Sequence, residues 1–166
     1  MERSVYNNKD MASRGFSLVE VLISVSIILI LAISVVGVFQ FSGTLARRSL
    51  DRTIATNLAE ETLEVAKLWR DQSWTTQISP KTNSTNYYLA FATSTWQATT
   101  TAVWPFGRFE RKLVFTPVYR DSNDNIASGG TLDVGSRIVT ATIAWRERNA
   151  TSTYQLSVLI TNQFSN

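Results

Sequence analysis

The sequence predicts an α+β fold: one long N-terminal helix, membrane-spanning over its first half, packed on a three- or four-stranded antiparallel sheet. Three observations carry this. Phe16 to Phe41 form a 26-residue apolar run whose only ionisable side chain is Glu20. No proline interrupts 16–72, and apolar residues recur there at helical spacing. Beyond residue 108, three segments alternate apolar and polar residues as strands do. With 166 residues, the chain has room for one small domain and an anchor.

The first element is the apolar run. As a helix it is roughly 39 Å long, more than the ~30 Å of a hydrocarbon core. Ser24, Ser26 and Ser34 do not forbid this, because each hydroxyl can return to a backbone carbonyl one turn back. The run exceeds the apolar region of a secretory signal, and no clean small-x-small cleavage site follows it. Positive charges do not fix its orientation: Arg3, Lys9 and Arg14 precede it, and Arg47, Arg48 and Arg52 follow. Met11 offers a second start for translation. Gly37 is a weak point, costing about 1 kcal/mol relative to Ala inside a helix.

The second element continues the first. Leu50, Ile54, Leu58, Thr62, Val65 and Trp69 mark one face, with charged residues over much of the remainder. The expected helix therefore spans about 55 residues, apolar all round in its first half and amphipathic in its second. Residues 73–102 then change character. Thirteen of those 30 are Ser or Thr, Lys81 is the only charge, and Trp74, Tyr87, Tyr88, Phe91 and Trp96 are interspersed. This predicts a connecting loop whose aromatics cover the flank of the sheet.

The strands are expected at Phe109–Tyr119, Ile138–Trp145 and Tyr154–Asn162, rich in Val, Ile, Thr and aromatics. The polar linker at 147–152 reads as a hairpin loop, and residues 121–125 and 128–130 as turns.

Chemistry is thin. With no Cys and no His, the chain has no disulfide, no thiol nucleophile, no Cys/His metal site and no His base. Asp121, Asn123 and Asn125 imitate the start of a calcium loop. Ile126 stands where Gly is required, however, and Leu132 where a bidentate Glu is required, so a turn is the reading. The net charge of +3 is too small to argue for nucleic acid. Arg108, Arg111, Lys112, Arg120, Arg137, Arg146 and Arg148 are offset by five acids in the same region and read as a solvated sheet surface. Asn83 and Asn149 head glycosylation sequons, which carry little weight here. No catalytic residue, cofactor, metal or small-molecule substrate is expected.

The junction before the apolar run carries the sharpest signal. Gly15, Phe16, Ser17, Leu18, Val19 and Glu20 follow the basic Arg14 and lead at once into the helix. This resembles the prepilin cleavage and methylation motif of type IV pilins and type II secretion pseudopilins. The resemblance implies residues 1–15 as a leader, cleavage after Gly15 by a prepilin peptidase on the cytoplasmic side, and N-methylation of Phe16. It implies a filament-core helix at 16–42, an amphipathic half at 43–72, a variable loop at 73–107 and a sheet at 108–166. The stretch 58–74 also resembles the post-anchor helix of minor pilins of the PilV type. Implied partners are other pilin subunits, the peptidase/methyltransferase, an inner-membrane assembly platform and the bilayer, with nucleic acid not expected. The implied location is the inner membrane, then a pilus or pseudopilus. Many major pilins carry Pro near Gly37 and a C-terminal disulfide, and this chain has neither. The alternatives are a pseudopilin and, in a different class, a tip subunit binding DNA or surfaces. An enzyme on a single membrane anchor has least support.

Glu20 fits that reading physically. A lone carboxylate at mid-bilayer costs about 2.5–3.5 kcal/mol on insertion scales, and less near an interface. In the first helical turn the macrodipole favours it. Cleavage would create a cationic amine at Phe16 that Glu20 of a neighbour could neutralise.

Overall fold

The computed structural model describes residues 17–147 and 150–163. The leader, Gly15 and Phe16 lie outside the described residues, as do Arg148 and Asn149. Two compact units divide between Arg47 and Arg48.

Helix α1 spans Leu18–Gln72, the 55 residues expected. In the first unit its apolar side chains are all exposed: Val25, the least exposed large one, is still 47% exposed. The serine hydroxyls behave as predicted. Ser24, Ser26 and Ser34 donate to the carbonyls of Glu20, Leu22 and Ile30, each at 2.8 Å. No hydroxyl of the three is left for another partner to satisfy.

In the second unit the later turns of α1 bury Ala55, Leu58, Ala59, Thr62, Leu63, Val65, Ala66 and Trp69 against one sheet. Leu58, Thr62, Val65 and Trp69 lie on the face predicted for them. Leu50 does not: it is 59% exposed, and Asp51 is buried beside it instead. The reason is size. Ala55, Ala59 and Ala66 are fully buried, so helix and sheet meet across short side chains, and that line sets the buried direction.

A single π-helical turn, Trp74–Ile78, follows, with Ser73 as its N-cap accepting from Thr76 N. Ile78 is fully buried and Trp74 nearly so. Six strands then form one sheet, where three or four were expected. They are β1 (Tyr87–Ala92), β2 (Thr95–Thr99), β3 (Phe109–Arg120), β4 (Ile126–Ala127), β5 (Thr131–Glu147) and β6 (Ala150–Thr161). The order is β2-β1-β3-β5-β6, with the two-residue β4 on the end of β3.

The extra strands come chiefly from the Ser/Thr-rich segment. Its hairpin turns through two residues, Thr93 and Ser94, both at positive φ (51° and 61°), between the pair Ala92 and Thr95. Such turns normally announce themselves with Asn-Gly or Asp-Gly. The three expected strands are present and longer. The loop read at 147–152 is shorter than predicted, because Ala150 already pairs with Glu147 and Ser152 with Trp145. β5 runs 17 residues and pairs along its length with β3 and β6. Its inward row of Val139, Ala141, Ile143 and Trp145 is buried with Phe109, Leu113 and Phe115 of β3.

Candidate processing and assembly site

Ser17 is the first described residue, and its carbonyl accepts from Val21 N at 3.2 Å. Among the described residues, helix geometry therefore begins inside the motif, at the Ser17 carbonyl. Leu18 opens the helix and is 77% exposed. Glu20 lies in the first turn, where unpaired N–H groups favour an anion.

Glu20 has no cation within reach on its own helix. Between Ser17 and Ala46 the sequence holds no Lys or Arg. Arg47 is 27 residues further on, about 40 Å along an α-helix. A counter-charge for this carboxylate has to come from the chain's own N-terminal side or from another molecule.

The basic residues of the sheet are organised differently. Arg108 Nη2 donates to Asp51 Oδ2 at 2.9 Å, and Arg111 Nη1 to Glu61 Oε2 at 2.6 Å. These two links tie β3 and the turn before it to α1 at two heights. Arg111 is 5% exposed and its guanidinium lies 5.1 Å from the ring of Trp96. Arg120 Nε donates to Asp133 at 2.7 Å. Three of the seven cations weighed for nucleic acid thus serve internal pairs. Sequence reasoning missed these ties. Their one signal was Arg111 at an inward position of a strand, between Phe109 and Leu113; its partner lies 50 residues away.

The residues 121–125 form a turn. Asp121 Oδ1 accepts from Asn123 N at 2.8 Å and Asn125 N at 2.9 Å, which holds its carboxyl below the usual carboxylate range. Its oxygens serve the backbone. Among the described residues no group of three or more Asp or Glu side chains is placed to hold a metal ion. Lys81 Nζ lies 5.4 Å from the ring of Trp69 and 5.3 Å from that of Tyr87, pinning the start of the Ser/Thr-rich segment to the helix.

Residues 10–36 match the family described as "Prokaryotic N-terminal methylation motif". The match covers the junction, Glu20 and the first turns of α1, and it is consistent with the type IV pilin family. It supports prepilin-like processing of this N-terminal segment. α1 is long and apolar enough to cross a membrane. No curated protein and no solved structure matches the chain.

Proposed function

We propose that the chain is a minor pilin, a structural and assembly subunit of a type IV pilus-like filament. It is inserted in the inner membrane, cleaved after Gly15 and N-methylated at Phe16. It then enters a filament as its apolar helix packs among others, with Glu20 setting the register against the amine of a neighbour.

One observation carries the reading: the methylation-motif match runs into the first part of α1, residues 18–41, which is apolar and exposed all round with Glu20 as its one ionisable group. Lipid is as apolar as the partner stems, so transfer between them supplies little drive. Close packing and the charge pair select the position. The minor-pilin assignment, against a type II secretion pseudopilin, is supported by the resemblance of 58–74 to the post-anchor helix of PilV-type subunits.

Gly15→Ala tests the reading. The variant should stay in the membrane at full length, while N-terminal sequencing and intact mass of the unaltered protein should give N-methylated Phe16. Normal processing of Gly15→Ala overturns the cleavage assignment. Recovery of the mature protein only with a secretion apparatus, never in sheared surface filaments, moves it to the pseudopilins.

A further inference from the structure

The turn before β3 combines strained backbone with exposed aromatics. Gly107 N donates to the Trp104 carbonyl at 3.0 Å, so Trp104, Pro105, Phe106 and Gly107 form one tight turn. Its third residue, Phe106, has φ 55°, a conformation that favours Gly, and Gly107 follows at φ 67°. Neither aromatic is buried: Trp104 is 54% and Phe106 78% exposed. Backbone strain of this kind gathers at binding sites, where position is worth its cost.

Trp104 forms one wall of a cleft of about 430 Å³. The rest is built mainly from the outward row of the sheet, which alternates with the buried Phe109, Arg111 and Ile143: Glu110 of β3, Ala144 and Arg146 of β5, and Thr151 of β6. Glu110 is opposite Ala144, and Thr151 opposite Arg146. Glu110 and Arg146 are thus diagonal neighbours, about 7–8 Å apart, with only the methyl group of Ala144 beside them. They do not pair with each other, and Arg146 makes no ion pair with any described residue. Arg108, the other cation of the cleft, is held by Asp51 of α1. Glu110 Oε1 accepts from the Tyr88 hydroxyl at 3.2 Å, which leaves Oε2 for another donor.

We propose that this cleft binds an acidic saccharide, through a pyranose that carries a carboxylate. Its volume is that of a small-molecule site. The C–H face of the sugar lies on the Trp104 ring, because an indole face is apolar and electron-rich. Arg146 takes the carboxylate in its fork. Glu110 Oε2 and the Thr151 hydroxyl take sugar hydroxyls. One free cation, one acceptor carboxylate and one hydroxyl suit a ligand with a single negative group and several O–H donors. They suit a nucleic acid strand poorly, since Glu110 repels any phosphate brought to Arg146. The cleft uses no residue of the processing motif, so it stands or falls apart from the pilin reading.

Calorimetric titration of the full-length chain in phosphatidylcholine nanodiscs, which bring no sugar, tests this. Trigalacturonate or sialyllactose should bind with a Kd of about 1 mM or tighter, and the tighter of the two names the source of the acidic sugar. Maltotriose, neutral and of similar size, should bind at least about tenfold more weakly. Arg146→Gln and Trp104→Ala should each weaken the acidic sugar about tenfold or more and leave the urea midpoint in place, since both side chains are exposed. Glu110→Gln should weaken it about threefold or more. Lys67→Gln, the same charge change made on α1, should leave binding unaltered. Failure of both acidic sugars to bind, or equal binding of maltotriose, overturns the assignment. So does an equal loss in Lys67→Gln and Arg146→Gln, which reports general charge attraction. Tighter binding of a thymidine trinucleotide than of either sugar, or a gain of affinity in Glu110→Gln, overturns it in favour of a polyanion.

Discussion

Glu61 and Arg111 form a pair whose two members should not be equally expensive to remove. Arg111 is buried, its side chain 6% exposed, while that of Glu61 is 44% exposed. Arg111 Nε is also buried without a hydrogen-bond partner. Glu61→Ala therefore strands a desolvated guanidinium. The full cost of breaking a buried pair is about 3–5 kcal/mol. Water reaching the Glu61 side reduces it toward about 1–3 kcal/mol, the cost of an ordinary orphaned buried donor. Arg111→Met removes the charge with its desolvation penalty and keeps a long apolar side chain against Trp96. What it gives up is the cation–π contact, about 0.5–2 kcal/mol. Arg111→Met should then lie within about 1 kcal/mol of the unaltered chain, and Glu61→Ala about 1–3 kcal/mol below it. The double variant should match Arg111→Met, so the coupling equals the cost of Glu61→Ala, about 1–3 kcal/mol. Urea unfolding of the full chain in detergent, followed by Trp fluorescence, reads all three. An Arg111→Met variant as unstable as Glu61→Ala would refute the argument that the buried charge, once stranded, is the main liability.

Three further outcomes follow. Glu20→Ala should insert normally but fall about tenfold or more in the filament fraction relative to the membrane fraction, since it leaves a neighbour's amine unpaired in apolar surroundings; equal incorporation removes the pairing. Gly130→Ala should cost about 2 kcal/mol or more, because Gly130 has φ +127° and an added Cβ would lie 2.2 Å from the Arg120 carbonyl oxygen, whereas Gly129→Ala meets nothing within 4 Å and should be silent. Acid should loosen the turns beside β3. The Asp133 carboxyl is held below the usual range by the Ser136 hydroxyl and then Arg120, and that of Asp121 by the backbone N–H groups of Asn125 and Asn123. Both groups contribute stability above the ordinary carboxylate range, and it is lost as pH falls through their depressed values. Protection of the Asn123, Asn125 and Gly135 amides, taken as the ratio of intrinsic to observed exchange rate, should fall between about pH 4 and pH 2, and Asp133→Asn should flatten the Gly135 response.

The helix and the three main strands were legible because each rests on a repeating pattern. A 26-residue apolar run, a proline-free 3.6-residue period and a two-residue alternation are carried by many residues at once. The hairpin at 87–99 was not legible. Thr93 and Ser94 adopt positive φ where a reader looks for Gly or Asn, and the surrounding Ser and Thr suggest a loop. The burial of Asp51 in place of Leu50 was hidden for another reason. Hydrophobic periodicity weights large side chains, whereas this interface is set by Ala55, Ala59 and Ala66. Of the candidate site, Glu20 and its isolation could be read directly. The ties from Arg108 and Arg111 could not, because nothing local marks partners more than 49 positions apart.

Those ties have a mechanical consequence. Asp51 and Glu61 are ten residues apart on α1, about 15 Å; Arg108, in the turn before β3, grasps the first and Arg111, in β3, the second. One fastening would serve as a pivot; two stop the helix from rocking or sliding along the sheet. Tension drawn axially through α1 past Asp51 passes at both points into β3 and the turn before it. From there it spreads over the twelve paired positions that join β3 to β5.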